Sequence, residues 1–124
     1  MKLDKSQIFK QLKSLLSSLV PPLSARTNTT SRYDLYGKKK VKLRNKEVDG
    51  MYFASAIVQK NYVGFYFFPI YTHPQDFSDV PEDVKKCLKG KSCFHIKKLD
   101  ETLFKNFRSI LKRGIDIYRR AGWI

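Results

Sequence analysis

From Met51 to Pro74 the chain carries two apolar runs, MYFASAIVQ and YVGFYFFPIYT, separated only by Lys60-Asn61. Met51 to Gln59 is apolar on both faces, as befits a central strand covered on both sides or at an interface, and Tyr62 to Phe68 behaves alike. The pattern predicts an aromatic β-hairpin at the centre of a sheet. In its second strand Val63, Phe65 and Phe67 share one face, while Tyr62, Gly64, Tyr66 and Phe68 share the other. Side chains alternate across a strand, so the tyrosine-bearing face is the one expected to meet water or a ligand.

The flanks follow two other periods. Ile8, Phe9, Leu12, Leu15, Leu16, Leu19 and Val20 recur at helical spacing, predicting an amphipathic helix over 6–20, capped near Asp4 or Ser6 and stopped by Pro21-Pro22. A polar connection, ARTNTTSR, follows. Lys40 to Arg44 alternates as an edge or near-edge strand with one wet face, and Asp49-Gly50 offers a turn into the hairpin. Beyond Pro69, Asp79-Val80-Pro81-Glu82 has the spacing of a capping box and predicts a short helix from Val80 to Leu88, ended by Gly90. Lys91 to Lys98 alternates as a further strand, with Phe94 and Ile96 on one side and Cys93, His95 and Lys97 on the other. Asp100 caps a long helix whose apolar face runs from Leu103 to Ala121 and which closes at Gly122.

Strands joined by short turns, with helices at both ends, predict the α+β class: an antiparallel sheet with helices packed on one face, in a single domain over 1–124. The 124 residues suffice for one core. Charge alters the picture more than size does. The net charge of +14 divides as +8 over residues 1–50, 0 over 51–90 and +6 over 91–124, so the basic surface belongs to the two ends and the hairpin is nearly neutral. Such an excess favours anionic ligands, nucleic acid or acidic partners. Two cysteines, Cys87 and Cys93, are too few for a secreted disulfide scaffold, and Lys10 and Lys13 interrupt the first apolar stretch. The expectation is an unprocessed cytoplasmic protein with no membrane association, monomeric or homodimeric.

Motif chemistry is sparse. Gly90-Lys91-Ser92 imitates the end of a phosphate-binding loop, but Lys85 stands where its first glycine would fall, and a helix leads into a strand here rather than the reverse. Cys87, Cys93, His95 and His73 lack soft-metal spacing. His73, Asp76, Asp79, Glu82 and Asp83 form the only acidic concentration and are the alternative site for a hard cation such as iron. Lys38, Lys39, Lys40, Lys42, Arg44 and Lys46, with Lys91, Lys97 and Lys98, are the alternative site for nucleic acid, without a recognition motif. No nucleophile is paired with a base at a fixed spacing, so no enzymatic reaction is indicated.

Four segments, Tyr36-Gly37, FYFFPIYTHP (65–74), LKGKSCFHIKKLDE (88–101) and RGIDIYRRAGW (113–123), together resemble the YdhG-like family of small bacterial domains of unknown function. The resemblance implies a two-layer α+β fold similar to secretion-chaperone-like domains and no established enzymatic activity. For some members it implies a frataxin-like role as an intracellular iron chaperone, although the +14 charge departs from the acidic surface expected of an iron carrier. The residues themselves point to a non-enzymatic binding module without cofactor, whose sheet face around Tyr62, Tyr66, Cys93, His95 and Lys97 receives a small ligand or a protein partner.

Overall fold

The computed structural model describes residues 4–43 and 45–124; Arg44, the expected end of the edge strand, lies outside them. Helix α1 (Lys5–Ser17) precedes strands β1 (Ser24–Asn28), β2 (Arg32–Tyr36), β3 (Lys40–Leu43), β4 (Lys46–Asp49), β5 (Tyr52–Val58) and β6 (Val63–Phe67). The short helices α2 (Pro69–Thr72) and α3 (Glu82–Cys87), strand β7 (Cys93–Ile96) and the long helix α4 (Glu101–Ala121) complete the order. Five strands form one antiparallel sheet in the order β1-β2-β5-β6-β7, and β3 pairs only with β4 in a separate two-stranded ribbon. Helices pack against the sheet, which is the two-layer α+β arrangement expected.

The expected helix ends hold where local chemistry decides them. The Asp4 carboxylate accepts from the Gln7 amide at 2.8 Å while Gln7 Oε1 accepts from the Asp4 amide at 3.0 Å, a reciprocal cap for α1. Asp100 accepts from the Leu103 amide at 2.8 Å, and Gly122 ends α4 with φ +80°. Helix α1 stops at Ser17 rather than Val20, because the prolines at 21 and 22 exclude helical geometry just before them and 18–20 close as a tight turn instead.

Three expectations are corrected. The connection after Pro22 is a hairpin: β1 pairs with β2 from Ser24↔Tyr36 to Asn28↔Tyr33. The strand beginning at Lys40 belongs to the ribbon, not to the edge of the main sheet. The Asp79–Glu82 capping box does not form; Pro81 is the cap of α3, with no side-chain bond, and the helix is confined to Glu82–Cys87. Leu88 ends that helix in extended geometry and bridges to Phe94, so Gly90 is not its cap.

The core lies between the helices and one face of the sheet. Leu35, Ala54, Phe67, Ala56, Phe65, Phe94, Val63 and Ile96 are all fully covered there. Rings pack edge to face: Phe107 of α4 meets Phe94 at 83° with centroids 5.4 Å apart, and Tyr118 meets Phe53 at 86° and 5.2 Å. The register shifts between Leu35↔Ala54 and Tyr36↔Tyr52, leaving Phe53 without a partner in β2. The extra residue turns Phe53 into the core and Tyr52 toward the other face. Tyr118 stitches the place together, donating its hydroxyl to the Tyr52 carbonyl at 2.6 Å.

Helix α4 approaches β6 closely at Gly114, where a Cβ would stand 2.7 Å from Phe67 Cζ and 3.1 Å from Pro69 Cγ. Alanine is the better helix former by about 1 kcal/mol, yet neither the buried ring nor the proline has room to retreat. Gly114→Ala is therefore expected to destabilise the protein by about 1–3 kcal/mol in urea denaturation; a gain in stability would show that the contact is looser.

Candidate functional site

With the core on one side, the alternate positions of four strands line up on the other. One cross-strand row is Asp34, Ser55, Tyr66 and Cys93; the next is Arg32, Ile57, Gly64 and His95. The structure thus places Tyr66, Cys93 and His95 on a common face, as the alternation predicts. Tyr62 joins them just before β6 by stacking on the His95 ring, with centroids 3.9 Å apart and planes 13° from parallel. Lys97 lies past the end of β7, exposed.

The face is polar but internally satisfied. Arg32 Nε donates to both oxygens of Asp34, at 2.9 and 3.1 Å, and Asp34 is only 4% exposed. That pairing pushes the Arg32 guanidinium further up, so the charge is permanent. Tyr52 donates its hydroxyl to Ser55 Oγ at 2.6 Å, and burial drives its phenol far above the ordinary value. Tyr66 lies over Gly64, where a Cβ would come within 2.9 Å of its ring, and it accepts from Gln59 Nε2 at 3.4 Å. Burial raises the Tyr66 phenol, and the neighbouring Cys93 raises it further. Both phenols therefore remain neutral hydrogen-bonding groups at physiological pH. Cys93 and His95 stand in successive rows of this face, and among the described residues no hydrogen bond joins them.

An aromatic row leaves the same face toward α2. Tyr36, Tyr52, Phe68 and Tyr71 follow one another with centroids 5.2, 5.7 and 5.4 Å apart. Arg26 lies 4.2 Å over Tyr36 at one end and Lys91 5.8 Å over Tyr71 at the other. Sequence reasoning missed the β2 half of the face, Arg32, Asp34 and Tyr36. The available signal was Tyr33-Asp34-Leu35-Tyr36 itself, where two tyrosines and a leucine have strand character after a polar stretch.

The alternative hard-cation residues are not drawn into one site. Asp79 accepts from Arg113 Nη1 at 2.9 Å, which holds its carboxyl below the usual carboxylate range. Asp83 accepts from Asn106 at 2.9 and 3.1 Å, and His73 Nδ1 lies 2.8 Å from the Thr72 hydroxyl. Asp76 offers its carbonyl to Arg113, and Glu82 sits exposed in the first turn of α3. Among the described residues no three His, Cys, Asp or Glu side chains are grouped to hold a metal ion. The basic residues Lys38, Lys39, Lys40, Lys42 and Lys46 are exposed on and beside the ribbon, where Lys40 reaches Glu47 at 3.9 Å.

No family model, curated protein or solved structure matches the chain. Among the described residues no helix is long and apolar enough to cross a membrane.

Cys93 reports on this face. Burial pushes its thiol up, and the adjoining Tyr66 hydroxyl moderates the rise by stabilising the thiolate. A raised thiol holds less of the reactive anion at neutral pH. In a Cys87→Ser background, the alkylation rate of Cys93 should still be climbing with pH above the midpoint of a free cysteine, and Tyr66→Phe should move the midpoint higher. A midpoint at or below that of an unfolded control would contradict the described surroundings.

Proposed function

We propose that the chain is a non-enzymatic binding module that takes its ligand or partner on the helix-free face of the sheet, around Tyr62, Tyr66, Cys93, His95 and Lys97. The observation that carries this reading is the composition of the two cross-strand rows. Their one carboxylate, Asp34, is buried and neutralised by Arg32, while Tyr66 and His95 bring a phenol and an imidazole to the rows and Tyr62 stacks on His95. Such a surface complements an anionic or aromatic group. The resemblance to YdhG-like domains supports the same reading, as does the absence of a catalytic pairing along the sequence. Two unpaired cysteines agree with action in a reducing cytoplasm.

The direct test is recovery of co-purifying molecules with the wild-type protein and with a Tyr66→Ala/His95→Ala variant of unchanged circular dichroism, using mass spectrometry and metal analysis on one sample. The wild type is expected to carry a species that the variant loses. Identical recoveries from both would remove the assignment.

Nucleic-acid binding through the lysines of the ribbon is a second reading, supported by their common exposure and by the +14 charge. It predicts that affinity for mixed single-stranded oligonucleotides falls steeply as salt rises, through counterion release. Iron carriage finds less support, since Asp79 and Asp83 are already held by Arg113 and Asn106.

A further inference from the structure

A groove of about 930 Å³ lies between the ribbon and the body of the protein, apart from the tyrosine–histidine stack of the sheet face. It is built from three segments remote in sequence: Asn45, Lys46 and Val48 of the ribbon, Phe68 to His73 around α2, and Trp123 after α4. Its size suits a small molecule rather than a macromolecule.

The walls are aromatic on the side of the body. Phe68 and Tyr71 stand 5.4 Å apart at 36°, and Tyr71, 49% exposed, is the most exposed of the large apolar side chains among the described residues. Trp123 meets His73 edge to face at 5.4 Å and is braced from behind by Tyr118 at 5.0 Å. Tyr71 and Trp123 both line the groove and keep part of their ring surface exposed, where a further planar group can lie. The polar side is cationic and neutral: Lys46 is exposed on the ribbon, and among the described residues no carboxylate side chain lines the groove. The Thr72 hydroxyl lies 2.8 Å from His73 Nδ1 and 3.3 Å from the Pro69 carbonyl, which fixes the His73 ring in the wall of the groove.

From this arrangement we infer that the groove is a second binding site, for a planar aromatic ring bearing a carboxylate or phosphate. The ring lies against Tyr71 and Trp123, and the anion meets Lys46. The inference stands independently of the sheet-face reading, because none of Tyr62, Tyr66, Cys93 and His95 lines the groove.

Trp123 is the only tryptophan in the chain, so its emission reads the site directly. The intact protein is titrated with 2-naphthoate and with adenosine monophosphate, and in parallel with their uncharged counterparts 2-naphthamide and adenosine. Equilibrium dialysis supplies a second measurement free of optical interference. At least one anion is expected to saturate, with the uncharged counterpart roughly ten-fold weaker, the worth of a charge-assisted contact. Which of the two saturates tells which pairing of ring and anion the groove takes. Lys46→Ala should bring the anion down to the affinity of the uncharged probe, and Tyr71→Ala should weaken both; both side chains are exposed, so folding is spared. Tyr66→Ala/His95→Ala should leave the titration unchanged. The inference is overturned by dialysis showing no saturable binding of either anion, by equal binding of charged and uncharged probes, or by an affinity that falls only in the sheet-face variant.

Discussion

The arrangement of this protein depends on one irregular residue in its central strand. Because Phe53 has no partner in β2, β5 presents Phe53 and Ala54 in succession to the helices and shifts Tyr52 to the opposite face. Phe53 then packs between Phe67 and Tyr118, and its carbonyl accepts from the Phe68 amide at 2.9 Å. Tyr52 meets Tyr36 and Phe68 across the strands and bonds to Ser55. A regular β5 would reverse these side chains on one half of the strand, burying the tyrosine hydroxyl among phenylalanines and exposing Phe53. The same residue therefore fixes α4 against the sheet and begins the aromatic row that leads to α2.

Once the helices occupy one face, the other must be stable while open. It achieves this by covering itself: Tyr66 shelters Gly64, Arg32 covers Asp34, and Tyr52 satisfies Ser55. Asp34 and Ser55 are the two buried polar residues of the described core, and both have partners on this surface. No buried side-chain nitrogen or oxygen among the described residues lacks a hydrogen bond. The polar part of the face is consequently held in place by its own hydrogen bonds, and the stacked Tyr62 and His95 lie beside it.

The parts of the fold governed by local pattern were legible in the sequence: both long helices with their Asp4 and Asp100 caps, the central hairpin, and the two faces of Tyr62 to Phe68. What escaped is governed by distant partners. Ser24 to Asn28 is polar and half-exposed on a sheet edge, so its strand character resides in hydrogen bonds to β2 rather than in apolar alternation. In β2, Tyr33, Asp34 and Leu35 are all buried, and only the Arg32 contact explains the carboxylate. Asp79 has the spacing of a helix cap, but Arg113, far along the chain, takes its carboxylate. The residues of the sheet face follow from alternation on β6 and β7, whereas the groove at Trp123 joins three remote segments and has no local signature.

The sheet order also bears on how the protein behaves in company. Its outer strands are β1 and β7, and the outer side of β7 is already partly covered by the Leu88–Phe94 bridge and the Lys89 amide, which donates to the Cys93 carbonyl at 2.8 Å. Strand β7 is four residues long, with Lys91 before it and Lys97 and Lys98 after it, and the pairing of β1 shifts around Arg26. A short edge between lysines and a kinked edge carrying an arginine are poor templates for β-pairing, and like charges hold approaching copies apart. Part of the basic excess thus lies where it discourages β-pairing at the margins of the sheet.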